Sequence, residues 1–267
     1  MKDKVLLFIP AYNCEKQIVR VLAQIDSEVM QWVSKIVVVN NRSTDNTEQA
    51  VLNYANEYPL LPLVLLRNDE NYVLGGSHKV AFDYAIKNNY DYIIVLHGDD
   101  QGDIHDVLPL FKSGNYAKYD CCLGARFIKG AKLYGYSALR KWANRGFNLM
   151  FSIVCGRMIY DLGSGLNLYK VEMLKNRFYV KFPDKLSFND VMVLASTYYK
   201  HSMNFFPITW KEDDQVSNVK MFHFGCLLID MAIRFLFTRK KFIESEMREK
   251  IIENYTYTII FDAEHNS

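Results

Sequence analysis

Between Tyr92 and Leu96 the chain runs through five apolar residues and then breaks off into His97-Gly98-Asp99-Asp100-Gln101-Gly102-Asp103. A short run of that kind, with Ile93, Ile94 and Val95 at its centre, reads as a strand buried on both faces, the usual situation in a parallel sheet. An open α/β sheet places its ligands beyond the carboxyl ends of such strands. Three carboxylates and a glutamine on that turn, with His97 beside them, supply the oxygen ligands that a divalent cation holding a diphosphate requires. A solvated acidic turn would look the same in isolation, so the other segments have to decide.

Further apolar runs share the pattern. Residues 5–9 are closed by Pro10-Ala11-Tyr12-Asn13, residues 36–39 by Asn40-Asn41-Arg42-Ser43, and residues 121–123 run into Gly124-Ala125-Arg126-Phe127. Residues 63–66 precede Asn71-Tyr72-Val73-Leu74-Gly75-Gly76, where paired glycines permit close backbone approach before a helix expected over about 77–87. Between the runs, Ile18, Val21, Leu22, Ile25 and Val29 recur at helical spacing, as do Ala50, Val51 and Tyr54 after a capping Thr44 or Asp45. Strands alternating with helices predict an α/β fold, a mostly parallel sheet with helices on both faces and one crevice at its carboxyl edge. No GxGxxG follows the first strand and no GxxxxGK[ST] occurs anywhere, which argues against dinucleotide and phosphate-loop enzymes.

A chain of 267 residues, half of them hydrophobic and 23% charged, can bury a sizeable core and is not disordered. A net charge of +2 gives no basis for a nucleic-acid partner. Five cysteines without a CxxC pair point to reduced thiols and a cytoplasmic setting. The first residues lead straight into a strand, so no signal peptide is expected. The longest uncharged stretch, 146–156, falls short of the roughly 20 apolar residues of a spanning helix.

Taken in order, Pro10-Ala11-Tyr12-Asn13, residues 40–47, residues 71–79 and the acidic turn resemble the family 2 glycosyltransferases of GT-A fold. Gly98-Asp99-Asp100-Gln101, Gly124-Ala125-Arg126-Phe127 and Ser164-Gly165 are most similar to the polyprenyl-phosphate (dolichol-phosphate mannose type) branch, and the likeness runs over roughly residues 4–220. The resemblance implies that Pro10, Ala11 and Tyr12 line a nucleotide pocket, with Tyr12 stacking on the base. Asn41 stands where relatives carry a base-contacting aspartate, and Gly75 and Gly76 belong to the donor pocket. His97, Asp99 and Gln101 fall on the metal site Asp-x-Asp-x-Gln, with Asp99 the first ligand and the cofactor manganese or magnesium. His97 departs from the pattern, and imidazole suits manganese better. Arg126 corresponds to an arginine that faces the diphosphate and offsets leaving-group charge.

On the acceptor side the resemblance implies that Arg140, Lys141 and Arg145 meet the phosphate of a lipid acceptor. Asp190 matches an acidic residue facing the acceptor, a general base if that acceptor is a sugar hydroxyl and unneeded if it is a phosphate. First-turn helix stabilisation after Ser187 is the other reading of Asp190. Trp210-Lys211 with residues 217–220 form a candidate lid. Residues 222–237 are strongly apolar and lead into Arg239-Lys240-Lys241, a pattern that fits a helix in the headgroup layer of a membrane, or one packed on its own domain or on a second copy.

The expectation is a catalytic domain over 1–220 and an apolar helical extension over 221–267, peripheral on the cytoplasmic face of a membrane. The expected activity is metal-dependent, inverting transfer of a sugar from a nucleotide-diphosphate sugar to a polyprenyl-phosphate or glycan acceptor, of the kind that builds cell-envelope polysaccharide. Two alternatives stay open. One is a catalytically weakened nucleotide-sugar-binding protein, kept alive by Asn41 and His97; the other is a sugar nucleotidyltransferase releasing pyrophosphate.

Overall fold

In the computed structural model, which describes residues 2–212 and 221–264, the apolar runs become β1 (Val5–Ala11), β2 (Lys35–Asn40), β3 (Leu63–Asn68), β4 (Tyr92–Leu96) and β5 (Cys121–Ala125). Helices α1 (Glu15–Ala23), α2 (Thr47–Glu57), α3 (Val73–Lys87) and the short α4 (Leu108–Lys112) lie between them. The second half adds β6 (Lys132–Tyr134), α5 (Ala138–Cys155), β7 (Leu166–Lys170), α6 (Val171–Leu174), α7 (Phe188–Tyr198), β8 (Met203–Pro207), β9 (Thr209–Lys211), α8 (Met221–Glu244) and β10 (Tyr257–Asp262).

Eight strands form one sheet in the order β10-β3-β2-β1-β4-β7-β5-β8, while β6 and β9 pair separately. The pairs β1·β2, β1·β4, β2·β3 and β5·β8 are parallel; β7 and β10 run antiparallel to their neighbours. The chain steps outward from β1 through β2 to β3 and then returns to place β4 on the other side of β1. That reversal opens a crevice between the carboxyl ends of β1 and β4, where ligands of such sheets bind.

Every residue of β1, β2 and β4 is buried, as a sheet covered on both faces demands. Because strand side chains alternate, Leu6, Phe8, Val37, Val39 and Val95 pack against α3, α5, α7 and α8. Leu7, Ile9, Ile36, Val38 and Leu96 pack against α1, α2 and α4 on the opposite face.

The tail departs from expectation. Among the described residues after 220, β10 joins the edge of the central sheet beside β3, so this part packs on the same sheet as the rest. Tyr255 just before it reaches the interior, where its hydroxyl lies 3.2 Å from Lys79 Nζ. Lys79 also donates to Asp184 Oδ1 at 2.7 Å and to the Phe182 carbonyl at 2.6 Å. A buried ammonium without these partners would be costly, and burial draws Lys79 down to about 8 even so. Helix α8 is amphipathic: Leu228, Met231, Ala232 and Phe235 enter the core while its other face stays open. Among the described residues no helix is long and apolar enough to cross a membrane.

Candidate functional site

The crevice is floored by two loops that stitch each other together. At the exit of β1, Asn13 adopts a left-handed conformation, φ 49°, and its Oδ1 accepts the Thr44 backbone N–H at 2.8 Å. Asp45 accepts from the Glu15 N–H and from both the N–H and hydroxyl of Thr47, so it ties together the starts of α1 and α2. Tyr12 stands above this floor with its ring half exposed. Pro10 and Ala11 are buried at the end of β1, beneath Tyr12.

The acidic turn lies directly against this exit, since the Gly98 N–H donates to the Pro10 carbonyl at 3.1 Å. Asp99 is partly buried, and its Oδ1 accepts only a 3.3 Å bond from the Gln101 N–H. Among the described residues it has no cationic partner, and burial, with Asp100 nearby, pushes its carboxyl up to about 6. Its charge is felt at Cys14 in the first loop. Asp100 is committed elsewhere, to Arg20 at 2.5 Å and Gln24 at 3.0 Å, and Asp103 caps the His105 N–H. A cavity of about 150 Å³ beside the turn, walled by Gln24, Asp100, Gln101, His105, Thr209 and Lys211 among others, does not include Asp99 or Tyr12.

Asp99 and Gln101 fit a divalent cation: a desolvated carboxylate lacking a counter-charge is what a cation would relieve. Among the described residues no three His, Cys, Asp or Glu side chains form a ready-made cage. A cation that shares its shell with a diphosphate needs only one or two protein carboxylates.

His97, expected as a third ligand, packs inward instead. Its ring meets His78 edge-on at 6.0 Å, and the Nε2 atoms of both rings are buried without a hydrogen-bond partner. Burial, then the nearby Arg126, holds His97 down at about 4, so it is neutral. A Cβ on Gly165 would sit 2.9 Å from this ring and 3.0 Å from Trp210, so only glycine lets His97 lie on the backbone there.

Three donor-side expectations are corrected by long-range contacts. Asn41 is buried, and its amide is used to accept from Asn68 Nδ2 and the Tyr72 N–H and to donate to Asn71; it organises the β2 and β3 exits and is not offered to a base. Gly75 and Gly76 lie inside the first turns of α3, not ahead of it. They allow the helix to approach Pro183, Asp184 and Tyr255, and the Gly75 N–H is taken by the Asp184 carbonyl, so they serve packing and not the donor.

Arg126 is also committed. Its Nε and Nη2 donate to Asp161 at 2.7 and 2.8 Å, a bidentate pair whose side chains are 10% and 1% exposed. The guanidinium is sandwiched by Trp210 at 5.1 Å and Tyr136 at 6.0 Å. Asp190, buried in the first turn of α7, faces this pair; burial and then Asp161 raise its carboxyl well above the usual range. Arg140 stacks on Tyr136 and pairs with Glu212, whereas Arg145 lies over Trp142, so these two basic residues of α5 answer different partners. Of the lid segment, Trp210 is buried in β9 and 217–220 lie outside the described residues.

Asp161 and His78 had no role in the reading of the sequence. Asp161 stands three residues before Ser164-Gly165, in the turn Asp161-Leu162-Gly163-Ser164-Gly165, and that neighbourhood could have flagged it. His78 offered no signal, since a lone histidine in a helix is ordinarily a core residue.

The comparisons with known proteins agree with this architecture. A Trichomonas vaginalis protein named dolichyl-phosphate beta-glucosyltransferase ALG5C is 24% identical over 241 residues, 85% of this chain and 70% of its own. The dolichol-phosphate mannosyltransferase of Pyrococcus furiosus is 27% identical over 158 residues, covering 58% and 41%. The S. aureus TarS 1-349 structure in complex with UDP-GlcNAc superposes with a TM-score of 0.58 at 18% identity, over 86% of this chain and 66% of that one. Glucosyl-3-phosphoglycerate synthase from Mycobacterium tuberculosis, in complex with Mn2+, UDP and phosphoglyceric acid, gives 0.57 at 11% identity, over 87% and 78%. The fold is therefore GT-A, and the protein is a glycosyltransferase. Residues 7–178 match glycosyl transferase family 2, and the chain belongs to that family.

Proposed function

We propose that this glycosyltransferase moves a sugar, with inversion, from a nucleotide-diphosphate sugar to a polyprenyl-phosphate acceptor, as a step in building a cell-envelope polysaccharide. It would act peripherally at the cytoplasmic face of the membrane that holds such a lipid. The observation that carries the reading is Asp99: a carboxylate without counter-charge, at the carboxyl end of β4, abutting the β1 exit where Tyr12 is free to stack. Asp99 and Gln101 would hold a manganese or magnesium ion, which when bound neutralises the diphosphate.

The remaining groups act by position. Tyr12 and the Asn13–Thr44 floor receive the base and ribose. His97, neutral and turned inward, walls the sugar pocket without adding charge. The Arg126–Asp161 pair would fix the wall facing the acceptor, whose phosphate oxygen attacks the anomeric carbon as the nucleoside diphosphate leaves. An acceptor phosphate is already ionised and needs no base. A glycan hydroxyl is the second reading; there Asp190, the acidic residue beside the Arg126–Asp161 pair, would serve as the base once ionised, and its burial, which raises its carboxyl, works against that role.

Isothermal titration of the chain with UDP- and GDP-sugars, with and without manganese, tests the proposal. Manganese-dependent binding of one of them is expected. Binding of none overturns it, and release of pyrophosphate in place of a nucleoside diphosphate would revive the nucleotidyltransferase.

A further inference from the structure

Helices α5 and α8 carry two long stripes of exposed apolar side chains. On α5, Leu139, Trp142, Leu149 and Ile153 are 72%, 71%, 63% and 73% exposed, at spacings that put them on one face. On α8, Phe222, Ile229, Ile233, Leu236 and Phe237 share one face at 87%, 45%, 52%, 47% and 78%. The two helices are neighbours: Gly225 abuts Phe147, and Arg239 donates to the Val154 carbonyl at 2.9 Å. Their inner faces, Phe151 and Val154 on one and Leu228 to Phe235 on the other, enter the same core, so the outer faces look the same way. Single exposed apolar residues are ordinary, but nine large ones on the outer faces of two neighbouring helices mark a surface that is covered.

Charge identifies the cover. The two helices hold seven Lys and Arg; with Arg140 paired to Glu212 and Arg234 to Asp230, Lys141, Arg145 and Arg239-Lys240-Lys241 against Glu244 still leave the surface net positive. We propose that the α5–α8 surface docks into the headgroup layer of an anionic lipid leaflet. A twofold contact with a second copy would set one cationic rim against another, whereas anionic lipids neutralise it. The proposal rests on the lipid-acceptor reading and names the surface that meets the lipid. Tyr136, just before α5, lies between Arg126 and Arg140, so docking would bring the acceptor wall down to the bilayer.

The test uses the full chain with vesicles of phosphatidylcholine alone or with added phosphatidylglycerol, none containing polyprenyl phosphate or donor. Binding to the anionic vesicles should be about tenfold tighter or more, weaken with salt, and shift Trp142 emission to the blue. Trp142→Glu and Ile233→Glu, exposed and so expected to leave thermal unfolding unchanged, should each lose about tenfold or more in binding; Trp142→Phe should retain it. Equal partition onto both vesicle types, undiminished binding by both glutamate variants, or a dimer in sedimentation that those variants dissolve would overturn the proposal. Turnover of a water-soluble short-chain prenyl phosphate by the variants separates the two readings. Failure of every prenyl phosphate as acceptor, with anionic vesicles still bound through this face, would sink the acceptor assignment and leave the surface standing.

Discussion

Replacing Asp161 with asparagine tests whether one buried ion pair holds the wall proposed to face the acceptor. The carboxylate accepts from Arg126 Nε at 2.7 Å, Nη2 at 2.8 Å and the backbone N–H at 2.9 Å. Removing one partner of a buried pair costs about 3–5 kcal/mol, because the other charge is left uncompensated. Asparagine keeps one acceptor oxygen, so the loss belongs near about 3 kcal/mol, or roughly 6–12 °C in Tm for a chain of this size. Asp190 supplies the sharper half of the test. Its raised carboxyl is protonated when folded and ionised when unfolded, so it erodes stability as pH rises from about 3.9 towards its folded value. Asp190→Asn removes that slope: it should be near neutral at about pH 4 and stabilising at about pH 8. With Asp161 already gone, Asp190 is the carboxylate left to answer Arg126, and the same substitution should then destabilise. Urea unfolding of the four proteins, followed by circular dichroism at both pH values, reads the reversal. An Asp161→Asn loss below about 1 kcal/mol, or the same sign for Asp190→Asn in both backgrounds, would refute the reasoning.

Asp99→Asn should abolish manganese-dependent nucleotide-sugar binding in calorimetry while leaving Tm unchanged or raised, because it replaces a desolvated carboxylate that lacks a counter-charge. Tyr12→Ala should weaken nucleotide binding by about 1–3 kcal/mol, roughly 5- to 150-fold in Kd, with no change in Tm, since the ring is half exposed. Lys79→Met leaves Asp184 without its cation and should cost about 3 kcal/mol, with faster amide exchange across β10, which Tyr255 anchors, seen by hydrogen–deuterium mass spectrometry.

The first four strands were legible because each holds a run of four or more consecutive buried apolar residues, and the acidic turn because its chemistry contrasts with the strand before it. Strands of the second half were harder to read, β7 and β10 most of all. β7 threads antiparallel between β4 and β5 and carries Asn167 in its middle, whose amide serves the Ser164 carbonyl and the Gly124 N–H. β10 looks like a mixed tail until its pairing with β3 is known.

The same division runs through the site. Pro10, Tyr12 and Asp99 are placed by the ends of β1 and β4, so local sequence decides where they stand. Asn41, Gly75, His97 and Arg126 have residue types equally suited to a donor, yet each answers a partner elsewhere: Asn68 and Asn71, Pro183 and Asp184, His78, and Asp161. No spacing rule exposes such pairs, because the direction of a side chain is set by which strand is neighbour to which. The cluster of Arg126, Asp161, Asp190 and Trp210 is built entirely in this way, from residues far apart in the chain. Positions at the ends of β1 and β4 could therefore be read along the chain, while those held by partners on distant elements could not.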